Sequence, residues 1–440
     1  MASHSSKRPP SPALVPNPFV KKRNLQWTLQ SPSSPAAQKD APEEAQPTSA
    51  AIESGAALIA DHLAHFTAHL SSHLSSSPPP LLSIPSYAEL YRSNAGGVQG
   101  AHFVVHQHDH PVAGTHYDLR LQINSASSVS WAVMYGLPGD PNSRRLNRNA
   151  TETRVHSLWN HLIETASPQT GSLLIWDTGT YSILPRRSKH APREDPSSPP
   201  GSPCSNNTAS TQQALLQAAF HNRKIRLRLH GARLPDPYVL NLRLTKSEDA
   251  SGRAKSLRTP RTRRRRRAAE AAPPETSESE GEGEATGVED DGHDTHVVPA
   301  GEQADPAAPV SALERELREL EDEQVRRTNA YPGASNSIGS VHQRRWYLSL
   351  DRPACGFVEQ SCGGRTVWEL PEPEGSNVGE PCSGEPAQGN EEAVRLKFPF
   401  YVRGPEYERS VVTGRRGDDI LRDEEVTGFV RRLGWAPVLN

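Results

Sequence analysis

Between residues 101 and 246 apolar and polar positions alternate with a period of two over several short runs, the pattern of strands with one buried face. In "THYDLRLQI" Tyr117, Leu119, Leu121 and Ile123 share one side, and "FVVHQH" precedes it with the same rhythm. "SWAVMYGLP" and "GSLLIWDTGTYSIL" are short apolar runs, closed by Gly-Leu-Pro and by an Asp-Thr-Gly turn. "RKIRLRLHGARL" alternates throughout. Ile225, Leu227 and Leu229 face one way, and Lys224, Arg226, Arg228 and His230 the other. After a Pro-Asp-Pro turn, "YVLNLRL" completes a hairpin. The C-terminal part predicts two more strands, "RRWYLSL" and "VRLKFPFYVR". In the second, Val394, Leu396, Phe398, Phe400 and Val402 share a face opposite Arg395, Lys397 and Arg403.

Helical spacing is rarer. Residues 51–75 place Leu58, Ile59, Leu63, Phe66, Leu70 and Leu74 on one stripe. His62, His65, His69 and His73 form a second stripe, read as a surface feature because only Asp61 joins it. "QQALLQAAF" predicts a short helix. "SALERELRELEDEQ" opens with a capping box of Ser311 and Glu314, and the leucine stripe that follows predicts a docking helix over 311–326. "DDILRDEEVTGFVRRLGW" predicts a closing helix. The expected class is mainly β, with a few flanking helices.

Composition adds long segments without a core. Only 34% of the 440 residues are hydrophobic, 40 are proline, and mean hydropathy is -0.68. Such a chain cannot bury enough apolar surface everywhere to offset ordering entropy. Residues 1–50 are expected to be a disordered tail containing the basic stretch "NPFVKKRNLQW". Residues 247–310 are expected to be a disordered linker holding the run "RTPRTRRRRR" and an acidic tract. The folded parts are then a helix at 51–75, a core at 86–246, the docking helix, and an extension at 340–440 that packs on the core. The core holds 17 Lys/Arg against 10 Asp/Glu, which favours a polyanionic partner. The arginine run predicts import into the nucleus. Four widely spaced cysteines with no CxxC speak against a disulfide framework or a cysteine zinc site. No apolar run is long enough to span a membrane.

The chemistry gathers in "FVVHQHDHPVAGTHYDLRLQI". Side chains two apart in a strand share a face, so His116, Asp118 and Arg120 lie together, as do His106 and His108. If "DHPVAGT" connects a hairpin, His108 and His116 stand opposite each other, with Cβ atoms about 5 Å apart. Asp109 and His110 then fall in the turn. Two histidines and one carboxylate suit Mn, Fe, Co or Zn better than Ca, and leave coordination positions open. Arg120 adds a bidentate anion donor beside them. A metal with an adjacent arginine outlines a phosphate site.

The same residues carry a family likeness. The order of an HD step, "HYDLRL", "SWAV", "RRL", an acidic residue before a histidine, and "WDTGTY" resembles the 3′-phosphoesterase domain of bacterial DNA ligase D, over about residues 90–246. The resemblance implies a compact antiparallel β-barrel that requires a divalent metal, typically Mn, and removes 3′-phosphates and 3′-ribonucleotides at DNA or DNA/RNA ends. It matches His108, His116 and Asp118 to metal ligands, and Arg120, Arg145 and His156 to the phosphate side. Glu152 matches the acidic residue of the catalytic set. A protonated His156 is expected to assist the leaving oxygen. The basic strand faces at 224–230 and 395–403 are expected to follow the nucleic-acid backbone, with repair proteins as further partners. The sequence departs from the family pattern in five ways, one being that the family's glycine-rich segment is reduced to "IETASPQTG". Two extra residues separate His108 from His116, and two more separate Glu152 from His156. Tyr135 stands where the family has a lysine, and Asn160 or Trp159 where it has a tyrosine. A catalytically silent nucleic-acid-binding scaffold of a nuclear repair complex is the alternative reading.

Overall fold

The computed structural model describes residues 47–76, 78–185, 210–256, 323–362, 365–371 and 395–439. The N-terminal tail with its basic stretch, the arginine run, the acidic tract and most of the docking-helix segment lie outside them.

Eight strands close into an antiparallel barrel: β1 (His102–His110), β2 (Gly114–Gln122), β3 (Ser127–Val133), β4 (Asn147–Glu152), β10 (Arg345–Leu350), β9 (Tyr238–Arg243), β8 (Lys224–Gly231) and β7 (Gly171–Ile183), with β7 pairing back onto β1. Short strands β5 (His156–Ser157) and β6 (Thr165–Ser167) extend β3 and β7. A separate hairpin joins β11 (Val358–Cys362) to β12 (Arg365–Glu369). The ring is not closed by the core segment alone. β10, which follows the linker, pairs with both β4 and β9.

The alternation read from sequence sorts side chains as expected. Phe103, Val105, Tyr117, Leu119, Leu121, Trp131, Trp176 and Leu227 fill the barrel interior with Trp346 and Leu348 of β10. The "WDTGTY" run is structural. Trp176 Nε1 donates to Glu408 at 2.7 Å, and Tyr181 Oη donates to the Gln122 carbonyl at 2.6 Å. Buried Asp177 accepts from the backbone amides of Ala232, Arg233 and Leu234, pinning the β8–β9 loop. At Gly179 an added Cβ would lie 2.0 Å from the His230 carbonyl oxygen, so only glycine fits.

A second apolar layer lies outside β1 and β7. Helices α1 (Ser49–Glu53), α2 (His62–Ser71) and α3 (Ile84–Asn94) bring Ile52, Phe66, Leu70 and Tyr87 onto Val104, Leu173 and Ile175, together with Val411 and Val412. The helix expected over 51–75 is thus two helices. Gly55 takes a left-handed conformation after α1, and Asp61 caps α2 by accepting from Ala64 N–H at 2.9 Å. The histidine stripe of α2 is partly engaged: His62 stacks on Trp159, and His69 reaches Glu424 at 3.0 Å. Helices α4 (Gln212–His221), α5 (Lys246–Ser256) and α6 (Glu323–Thr328) flank the barrel.

Two C-terminal expectations are corrected. "VRLKFPFYVR" is not a strand over its described residues, although Phe398, Phe400 and Val402 do pack on the core. Pro399 offers no amide to a ladder, and β10 already occupies the place between β4 and β9. The closing helix is only α7 (Gly417–Asp423), and Glu425 beyond it is left-handed. Among the described residues no helix is long and apolar enough to cross a membrane.

Candidate functional site

The β1–β2 hairpin sets the register on which the site depends: His108 opposes His116, and His106 opposes Asp118. Odd-numbered neighbours enter the core, so His106, His108, His116, Asp118 and Arg120 share the outer face of the barrel. That face is not solvated. His116, Asp118 and Arg120 are buried, and His108 nearly so. Asp109 and His110 belong to β1 and not to the turn. Asp109 is fully buried, accepting from Thr115 Oγ1 at 2.8 Å and pairing with Arg431.

One donor atom from each of His108, His116 and Asp118 lies within 4.8 Å of the others. His116 Nδ1–H donates to the Gly114 carbonyl at 2.8 Å, so its Nε2 lone pair faces Asp118 Oδ1 at 3.6 Å. His108 Nε2–H donates to the Thr170 carbonyl at 2.8 Å, so Nδ1 faces Asp118 Oδ2 at 3.7 Å. Two backbone carbonyls thus fix both imidazoles in the orientation that turns the other nitrogen to the carboxylate. Buried Asp118 Oδ1 accepts no hydrogen bond among the described residues.

Electrostatics follow from this packing. Burial would raise the Asp118 carboxyl, but His116, His108 and Arg120 hold it well below the usual range. Burial pulls His108 down, yet Asp118, helped by Glu53 and the Thr170 carbonyl, leaves it above its ordinary value. His116 is lowered by burial and by the neighbouring His108 charge. Arg120 Nη2 donates to Asp118 Oδ2 at 3.1 Å, while its buried Nε has no partner among the described residues.

The phosphate side divides. Across β3, Arg120 opposes Ser130, and Ser128 opposes His156 of β5. His156 therefore joins Arg120 on one polar row, and the Ser128 and Ser130 hydroxyls on it are buried without partners among the described residues. Burial, then the Arg120 charge, keep His156 well below its ordinary pKa. That shift favours the neutral ring over the protonated one expected from the sequence. Arg145 is exposed, with its guanidinium 5.3 Å over the Tyr135 ring, and makes no contact with the triad. Glu152 lies on the inward face of β4, opposite Trp131. It is fully buried and bound by Arg344 Nε and Nη2 and by Ser340 Oγ, so its structural partners come from beyond the linker. The basic strand face at 224–230 is partly neutralised, Arg226 by Asp351 and Arg228 by Asp236.

Sequence reasoning placed His106 beside His108 without giving it a role, and missed Ser128 and Ser130 as parts of the row. Their signal was present, since "HQH" and "SVS" carry polar residues in phase with the triad strands. It also missed Glu53 of α1, whose carboxyl is raised by burial and feels His108, Arg120 and Asp118.

No curated protein matches the chain. Residues 106–242 match the family described as the DNA ligase D 3′-phosphoesterase domain, a span that runs from His106 to Leu242 and takes in all or part of every barrel strand except β10. The likeness to the DNA ligase D 3′-phosphoesterase family thus rests on the barrel segment 106–242.

Proposed function

We propose that this protein is a divalent-metal-dependent phosphoesterase that removes 3′-phosphates and 3′-ribonucleotides from DNA ends in break repair. The observation that carries the reading is the convergence of one donor atom from each of His108, His116 and Asp118 within 4.8 Å of one another. A neutral imidazole nitrogen turned to a carboxylate oxygen at 3.6 Å, both buried, is unfavourable unless a cation stands between them. His108 Nδ1, His116 Nε2 and Asp118 would hold that cation. Mixed imidazole and carboxylate donors favour Mn over Ca. When bound, such a metal lowers the pKa of water and polarises a phosphoryl oxygen.

The chain's own groups supply the rest. Arg120, fixed through Nη2 on Asp118, keeps Nε for an anion and places positive charge where the transferring phosphoryl group gathers negative charge. His156, neutral before substrate binds, offers a hydrogen bond to the same anion and is positioned to gain a proton once that anion raises its pKa. Ser128 and Ser130 line the path between them. The helices over β1 and the C-terminal segment keep water from the row, which strengthens each interaction. Import to the nucleus through Arg261–Arg267 belongs to this proposal, and loss of nuclear signal from a fluorescent fusion lacking that run tests it.

The deciding experiment incubates the protein with Mn and an end-labelled duplex bearing a 3′-phosphate. Release of inorganic phosphate, abolished by Asp118→Asn and by His116→Ala, supports the reading. DNA binding without release, in Mn, Co or Zn alike, overturns it in favour of the silent scaffold.

A further inference from the structure

We propose that the barrel wall opposite the metal triad is a second nucleic-acid surface, one that holds the backbone of a strand other than the end being processed. The proposal rests on the enzymatic reading only for the identity of that other strand. In the ring of eight strands β10 stands four places from β1, and β9 four places from β2, so this wall faces away from the triad.

On the wall Lys224 of β8 lies directly opposite Arg243 of β9, and Arg243 opposite Tyr347 of β10. Their neighbours Ile225, Leu242, Trp346 and Leu348 enter the core, so the three form one outward row. Adjacent strands lie about 4.8 Å apart, so the row spans about 10 Å. That is the axial length over which one strand of a duplex carries about three phosphates. Arg345 follows on the same face of β10. Arg223 and Lys246 join Lys224 and Arg243 around a single surface pocket at the foot of the hairpin.

Two features separate this cluster from an ordinary solvated face. The first is that the chain pairs its other arginines nearby and leaves these cations alone. Arg226, Arg228 and Arg344 each reach a carboxylate. Arg223, Lys224, Arg243, Lys246 and Arg345 reach none among the described residues. Asp249, close by on α5, is committed to Arg344 and Arg253. Like charges directly opposite on paired strands are destabilising, so Lys224 facing Arg243 is a cost to the fold that an anionic ligand would remove.

The second is Arg223 itself. It follows the Asn222 cap of α4 with φ of 56°, a left-handed position where glycine or asparagine is the usual choice. Its backbone is held on both sides: its N–H donates to the Phe220 carbonyl, and its carbonyl accepts from Leu244 N–H. An arginine kept at a strained position and fixed there points to a use for its side chain. Tyr347, standing in the row beside Arg243, favours nucleic acid over an acidic peptide, because a ring among cations can stack a base or sugar while the cations take phosphates.

The test uses the full chain and a fluorescent DNA with plain 3′-hydroxyl ends, read by anisotropy over a salt titration. The unaltered protein is compared with K224E/R243E and with Arg223→Gly. The double variant should lose at least tenfold in affinity at moderate salt, and its slope of log affinity against log salt should fall by about two, near 0.7–0.9 per phosphate contact. Arg223→Gly should bind more weakly yet melt at the same temperature or higher, which excludes misfolding as the cause. Phosphate release from a 3′-phosphorylated dinucleotide, too short to reach the far wall, should be unchanged. Equal salt slopes in all three proteins overturn the proposal, as does a variant that loses polyglutamate binding but keeps DNA. Failure of the unaltered protein to turn over the dinucleotide overturns the enzymatic reading alone, and a slope difference would still support the wall.

Discussion

Acidification from pH 7 to pH 5 should destabilise this fold through a pair of imidazoles that play no part in the chemistry proposed above. His102 of β1 and His161 of the 3-10 turn Leu158–Leu162 are both buried, and their Nδ1 atoms are 2.7 Å apart. One proton fits between those nitrogens, so one ring donates and the other accepts. A second proton would set two N–H groups against each other. Burial pushes His102 down to about 3, and burial together with His102, His106 and Arg120 holds His161 well below its ordinary value. In the unfolded chain both titrate near 6.5. Below that pH the unfolded state binds more protons than the folded one, so stability is lost as pH falls, beginning near 6.5 and, for His102, ending near 3. At pH 5 the gap of about 1.5 units is worth about 2 kcal/mol per group, or about 4 kcal/mol for the pair. Against a typical net stability of about 5–15 kcal/mol that is a large fraction. Urea unfolding at a series of pH values measures it, and the midpoint should fall by roughly 1–2 M between pH 7 and 5. H102N/H161N should show a shallower dependence on pH, by up to two protons. An equal dependence in both proteins, or stability that rises on acidification, refutes the reasoning.

Further outcomes follow from other contacts. Arg344→Met leaves Glu152 buried without its bidentate partner, and should cost about 3–5 kcal/mol in chemical denaturation. Adding Glu152→Gln should recover part of that loss, and additive effects would deny the coupling. Residues 47–256 alone lack β10 and expose the edges of β4 and β9, so they should not melt cooperatively until residues 323–440 are supplied as a second chain. Cooperative melting of the first piece by itself would refute this. Cys355 is buried, accepts from Val239 N–H at 3.2 Å, and is pushed by burial up to about 12. It should resist iodoacetamide at pH 8.5 in the native protein and react on unfolding, as mass spectrometry would read.

Local periodicity made half of this fold readable. Strands with one apolar and one polar face, such as β2 and β8, announce themselves, and the parity of His108, His116, Asp118 and Arg120 followed from counting by twos. β4 escaped because "NRNATE" gives the core only Ala150 from an otherwise polar run. "VRLKFPFYVR" was misread for the opposite reason, since alternation shows which faces want burial and says nothing about whether a ladder has room. Glu152 was matched to the catalytic set by resemblance, whereas Arg344, which holds its carboxylate in the fold, lies 192 residues away. Cross-chain pairing of that kind leaves no mark in a short window.

The same distance explains why this chain surrounds its barrel with so much else. The triad and its polar row occupy the outer face of β1, β2 and β3, where a bare barrel would leave them in water of high dielectric. Cover comes from both sides of the barrel sequence. α1 and α2 lie over β1 and β7 from before it, and residues 404–435 return from after it. Glu408 takes Trp176 and Arg233; Thr413 and Arg415 bind buried Glu164; Arg431 pairs with Asp109; and Arg432 donates to the Val112 carbonyl in the hairpin that carries the triad. Each contact joins the C-terminal segment to a strand or loop next to the triad, and Glu424 of the same segment meets His69 of α2. A buried charge such as Asp109 or Glu164 cannot be left without its arginine, so the barrel strands already presuppose the segment that covers them. On this reasoning a variant such as Arg431→Met should weaken metal binding at His108 and His116 without touching either ligand, because the strand that sets their register would lose the partner of its one buried carboxylate. Isothermal titration of Mn into Arg431→Met and into an exposed control, Arg92→Met, would decide it, and equal affinities would show that the hairpin holds its register unaided.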